Sequence, residues 1–223
     1  MGSVNDRQLH ARKDCVQAAI APFPKRVLAF RRYPGSTPTV KLEEAFVNPN
    51  GQYITLSHCW GSHQTLVTTT GTIHERRRGI LWKYIPKTYQ DSIEICLELG
   101  TQYLWIDSVC IMQDDREDWQ IESTRMADIY ENSYITIAAT KAKNGDAGLF
   151  SETRSSFAAQ PLPKQPSDTA SSTAYIRQKI RHDIGQGHPV ADRAPLLSRG
   201  WVFQERLLAP KVLHFCDVEL VWE

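Results

Sequence analysis

From residue 52 onward, short runs of strand-forming residues alternate with longer stretches whose apolar positions recur every three or four residues. Gln52-Tyr53-Ile54-Thr55-Leu56-Ser57 alternates apolar and polar side chains and breaks at His58-Cys59-Trp60-Gly61, which predicts a strand and its exit loop. Pro86 suits a first helical turn, Tyr89, Ile93, Cys96 and Leu97 carry the helical repeat, and Gly100 suits its end, so a helix is expected between them. Gln102-Tyr103-Leu104-Trp105-Ile106 is too short an apolar run for a helix and stops abruptly at Asp107-Ser108. A strand buried on both faces of a parallel sheet reads this way. Asp114, Asp115 and Asp118 crowd the start of a second helix, where the backbone dipole favours anions, and Trp119, Glu122, Met126, Ile129 and Tyr130 continue it. Ser133 to Ala139 makes a third strand.

This alternation argues for right-handed βαβ units, hence an α/β fold with a mainly parallel central sheet flanked by helices. From about Lys141 to Ala194 the pattern dissolves into Gly, Ser, Pro, Gln and Thr, and this stretch is read as a long insertion, with a short strand or helix possible at Ala174 to Ile180. A helix from Arg199 to Leu208 follows, stopped by Pro210, and then a C-terminal strand pair about Cys216-Asp217. Residues 1–50 are treated as an N-terminal extension packing on the core, with a helix near Arg7 to Ala19 and a strand near Val27 to Phe30; residues 51–223 form the main domain.

The composition narrows the function classes. With 223 residues, 41% hydrophobic and 23% charged, the chain can bury one substantial core. A net charge of +1 supplies no global field for nucleic acid or an anionic membrane, so no nucleic-acid or membrane partner is expected and a ligand must be held locally. No apolar run approaches the roughly 18 residues of a membrane span, and no secretion signal opens the chain, so a cytoplasmic location is expected. The five scattered cysteines contain no CxxC pair and read as reduced thiols. A zinc site built from His58, Cys59 and His63 fits no ligand spacing, and no metal is expected.

Candidate chemistry gathers where parallel strands end. Ligands of open parallel sheets bind outside the carboxyl ends of the strands. Ser57, His58 and Trp60 leave the first strand, Asp107 and Ser108 the second and Thr140 the third, while Arg199, Trp201 and Glu205 open the helix after the insertion. Residues four apart on a helix lie over one another, so Trp201 and Glu205 are expected to present a ring and a carboxylate to one cleft. A nucleophilic Cys59 with His58 as base is disfavoured, because adjacent strand-end side chains point in different directions.

Three separated blocks carry a resemblance: Tyr53 to Gly61; Tyr103 to Ile111 with Gln113-Asp114-Asp115, Asp118-Trp119 and Met126; and Arg199-Gly200-Trp201 with Gln204-Glu205-Arg206. In this order they resemble the fungal heterokaryon-incompatibility (HET) domain. The chain is also distantly similar to TIR domains, in Leu56-Ser57 and Gly61, in Asp107 at the end of the second strand, and in Trp201 four residues before Glu205. These resemblances imply a Rossmann/flavodoxin-like (TIR-like) fold and an intracellular cell-death module of non-self recognition, attached to sensor or repeat domains in a full-length protein and forming a homo-oligomer on activation. The TIR likeness further implies an NAD+ glycohydrolase that needs no cofactor, takes NAD+ as its nucleotide substrate and uses Glu205 as its key carboxylate. Trp201 or Trp60 would stack on a ring, Arg199 would pair with phosphate, and Ser57, His58, Asp107 and Ser108 would position the ligand. The alternative is a non-catalytic, self-associating scaffold that signals through partners.

Overall fold

The computed structural model describes residues 23–44, 51–62, 66–151, 159–162, 173–177 and 194–223. The helix expected near Arg7 to Ala19, His63 and most of the 141–194 insertion lie outside the described residues. In chain order the strands are β1 (Arg26–Arg31), β2 (Thr39–Glu44), β3 (Ile54–Ser57), β4 (Tyr103–Trp105), β5 (Thr136–Ala138), β6 (Gln160–Pro161), β7 (Tyr175–Ile176), β8 (Val212–Phe215) and β9 (Leu220–Trp222). The helices are α1 (Ile73–Arg78), α2 (Lys87–Glu98), α3 (Asp107–Cys110), α4 (Arg116–Glu131) and α5 (Gly200–Leu208).

Seven strands make one sheet in the order β2-β1-β4-β3-β5-β8-β9, and β6 pairs with β7 apart from it. The centre, β4-β3-β5-β8, is parallel. Antiparallel strands complete both sides, β1 and β2 on one and the C-terminal β9 on the other. Segment 26–44, the N-terminal part that the sequence reading treats as packing on the core, therefore supplies two strands of the main sheet.

Burial explains why these short segments are strands. Every residue of β3 and of β5 is buried, as covering of both faces requires, whereas β2 alternates exposed and buried from Thr39 to Leu42 at the rim. The Thr55 and Thr136 hydroxyls satisfy each other at 2.7 Å across the β3–β5 pair, which lets two polar side chains sit in the core. The Asp115 carboxylate accepts the backbone N–H groups of Glu117 and Asp118 and so starts α4. Buried Arg26 of β1 pairs with Asp118 in the first turn of α4, and Lys25 joins it at 2.8 Å.

Two features of the topology position the site. Counted in chain order, the parallel strands lie 2-1-3-4, so the order reverses between β3 and β5, the position at which open parallel sheets form a ligand crevice beyond the strands' carboxyl ends. A small apolar cluster of Cys59, Ala138, Leu196, Val202 and Val212 then mounts α5 against β5 and β8, beside that crevice. No helix among the described residues is long and apolar enough to cross a membrane.

Candidate active site

Ser57 ends β3, and its hydroxyl donates a hydrogen bond to the Glu205 carboxylate of α5 across 148 residues of sequence. Val202 and Glu205, three apart, form the buried face of that helix. Glu205 is only 6% exposed. Burial raises its carboxyl above the ordinary range, the charge of Asp107 pushes the same way, and the Ser57 hydroxyl, Arg199 and the Tyr130 hydroxyl oppose the rise.

Asp107 stands at the end of β4. One carboxylate oxygen accepts the Trp60 indole N–H at 3.0 Å and the other accepts the Ser108 backbone N–H at 2.7 Å. Burial raises this carboxyl too, against the pull of those two donors and of Arg199. Arg199, just before α5, donates to the His58 backbone carbonyl, so its guanidinium is tied to the loop after β3 while its charge acts on both carboxylates. One buried carboxylate, Glu205, one half-buried carboxylate, Asp107, and one guanidinium thus lie together. That arrangement suits a reaction in which positive charge develops on a sugar carbon.

His58 is enclosed. Its ring is 1% exposed, Nε2 stands 2.7 Å from the Tyr89 hydroxyl, and burial, reinforced by Arg199, pushes its pKa down to about 3. The ring is therefore neutral at ordinary pH. Cys59 beside it is buried, which raises its thiol and disfavours the thiolate that a nucleophile requires. The Thr140 hydroxyl, placed at the rim by the strand pattern, instead meets His214 Nδ1 at 2.9 Å inside the core.

The structure thus brings together Ser57, His58, Trp60, Asp107, Ser108, Arg199 and Glu205. Trp201 differs, being 67% exposed although one helical turn from Glu205. It belongs to the first turn of α5, so its ring stands at the surface while Glu205 sits beneath, and the two do not share one enclosed cleft. Two site tyrosines read in the sequence only as members of helical repeats. Tyr130 sets its hydroxyl toward Glu205 and its ring edge-on to Trp105 at 5.7 Å; Tyr89 serves His58 and Ser108. The available signal was the residue type, since a tyrosine in a core position brings a hydroxyl that needs a partner.

Two cavities lie away from this cluster. A groove of about 770 Å³ runs beside β1 and β2, lined by Phe30, Arg31, Val40, Arg78, Ile80 and Trp82, and one of about 450 Å³ lies between Phe203, Leu207, Val212 and Glu223. Neither touches Glu205 or Asp107. Among the described residues no group of three or more His, Cys, Asp or Glu side chains is arranged to hold a metal ion.

Compared with protein families, residues 53–205 match the one described as Heterokaryon incompatibility protein (HET). The chain belongs to this family. The matched stretch runs from the start of β3 to Glu205 and includes every residue of the crevice named above. A relative, "Heterokaryon incompatibility protein 6, OR allele" of Neurospora crassa, is 28% identical over 105 residues, which cover 41% of this chain and 14% of that protein. The match thus spans a small part of that relative's length. No solved structure matches this HET chain.

Proposed function

We propose that this HET domain is a cytoplasmic cell-death effector of non-self recognition that hydrolyses the nicotinamide–ribose bond of NAD+. The observation that carries the reading is the Glu205 carboxylate, held by Ser57 at the carboxyl end of β3 where the parallel strand order reverses. Nicotinamide in NAD+ is a good leaving group, and its departure leaves an oxocarbenium-like ribose that an adjacent anion stabilises. Glu205 is that anion, and the second carboxylate, Asp107, fixes the Trp60 indole beside it. Arg199 supplies the positive charge for the substrate's phosphates, and Trp201 at the surface stacks on an incoming ring. The strand order 2-1-3-4 supports the TIR likeness behind this reading. Sensor or repeat domains in a longer protein, and assembly into a homo-oligomer, supply the trigger.

Glu205→Gln keeps the size of the side chain and its bond to Ser57 but removes the charge. The wild-type domain should release free nicotinamide from NAD+, and the variant should lose that release by about 100-fold or more. Equal NAD+ consumption by the two removes Glu205 from the chemistry.

One observation favours a second reading, a scaffold that signals by self-association. Trp201, Phe203 and Leu207 of α5 are each about two-thirds exposed, as are Trp222 and, slightly less, Leu220 on the edge strand β9. Sedimentation of the same preparation separates the two readings: concentration-dependent assembly with no nicotinamide release at any concentration favours the scaffold.

A further inference from the structure

The Tyr89 hydroxyl, on α2, lies 2.7 Å from His58 Nε2 and 2.9 Å from Ser108 Oγ. His58 follows β3, Ser108 follows β4, and all three side chains are buried, with Tyr89 and Ser108 at 0% exposure. The Tyr89 and His58 rings also meet edge to face at 5.0 Å. One hydroxyl therefore joins the exits of β3 and β4, next to Ser57 and Asp107.

The direction of the chain of bonds follows from its far end. A backbone hydrogen bond of His58 with Leu56 favours the protonated ring, as one to a carbonyl does, and a carbonyl only accepts. With Nε2 facing Tyr89, the nitrogen left to donate to that carbonyl is Nδ1, which also stands 3.8 Å from Asp107 Oδ1 and is the one assigned the proton. A neutral imidazole has one donor and one acceptor, so Nε2 accepts from Tyr89 and the Tyr89 oxygen accepts from Ser108. The backbone carbonyl of this same His58 receives the Arg199 guanidinium. The cation that acts on both carboxylates thus sits on the residue whose ring Tyr89 holds.

We propose that Tyr89 is a positioning residue for the candidate site, its buried hydroxyl joining the exits of β3 and β4 and holding His58 as the Nδ1–H tautomer, with Arg199 seated on its carbonyl. The kinetic consequence rests on the hydrolase reading above; the tautomer does not. A tyrosine that merely fills space would leave the imidazole protons where they are.

The test is ¹⁵N NMR of the imidazole nitrogens in the wild type and in Tyr89→Phe, with nicotinamide release measured on both. The wild type should show His58 neutral with its proton on Nδ1. Tyr89→Phe keeps the ring, should move the Nε2 resonance and admit the other tautomer, and should lower kcat about 10- to 100-fold with little change in KM. A wild-type Nε2–H tautomer overturns the assignment. So does a folded variant with unchanged imidazole signals or unchanged kcat. If Tyr89→Phe does not fold, the wild-type tautomer and the response of Nε2 in Ser108→Ala decide in its place. A wild type that releases no nicotinamide yet shows the expected tautomer ends the hydrolase reading and leaves the Tyr89 assignment standing. Turnover with unmoved imidazole signals does the reverse.

Discussion

Glu205 meets two opposed demands: burial favours its neutral form, while the proposed chemistry needs its charge. Its carboxyl lies above the ordinary 4.5 chiefly through desolvation, with Asp107 adding in the same direction. Ionising it in the folded protein is therefore harder than in the unfolded chain. The stability that the group contributes is complete below about pH 4.5 and is lost as pH rises through the raised value. Glutamine at this position cannot titrate. In urea unfolding at about pH 5 and pH 8, the stability of Glu205→Gln should improve relative to wild type at the higher pH, by up to about 1.4 kcal/mol for each unit of the rise. Parallel pH dependences of the two proteins would show that burial does not dominate this carboxyl. For nicotinamide release the sign is the opposite, because the ionised form is the active one: turnover should fall on the acid side, at a pH above the usual carboxylate range.

At the same scale, the sequence shows the residue types of the site but not their depth. Position after a strand placed His58 and Ser108 on the rim as ligand contacts, yet their side chains face inward to Tyr89. Strand alternation identifies a face but does not say which loop side chains turn back beneath it.

The element that matters most is α5. Its nine residues bury Val202 and Glu205 and leave Trp201, Phe203 and Leu207 outside, so its seat depends on a few small contacts. Leu196, 0% exposed just before it, packs in the cluster with Cys59, Ala138 and Val212, and its N–H reaches the Thr140 carbonyl at 3.4 Å. Leu196→Ala should cost about 2–5 kcal/mol in chemical denaturation and disturb the Glu205 site. Leu207→Ala, on the exposed side of the helix, should cost less than about 0.5 kcal/mol. Similar losses from both would mean that α5 is not mounted through this cluster.

The strands and helices that bear the site were largely legible, since β3, α2, β4, α4, β5 and α5 each carry a clear period or a clean stop. Pro86 and Gly100 bracket α2, and Pro210 follows α5. β2 was not legible. Thr39-Val40-Lys41-Leu42 alternates briefly between Pro38 and a run of charge, and it becomes a strand because β1 lies on one side of it and Ile80 bridges Val40 on the other. Tertiary pairing of this kind leaves little trace in a local pattern.

At the scale of the whole molecule, two places among the described residues are set against each other as ligand sites. One is the crevice beyond β3 and β5, where the strand order reverses and two carboxylates face Arg199. The other is the groove of about 770 Å³ beside β1 and β2, which has neither Glu205 nor Asp107 in its lining. An open cavity favours the groove; charge, topology and the span of the family match favour the crevice. A crystal structure of Glu205→Gln with NAD+ decides between them. The account predicts the nucleotide beyond the carboxyl ends of β3 and β5, with the nicotinamide ribose against residue 205 and the phosphates toward Arg199. Nucleotide seated between Phe30, Ile80 and Trp82, with the side chain of residue 205 untouched, would contradict it.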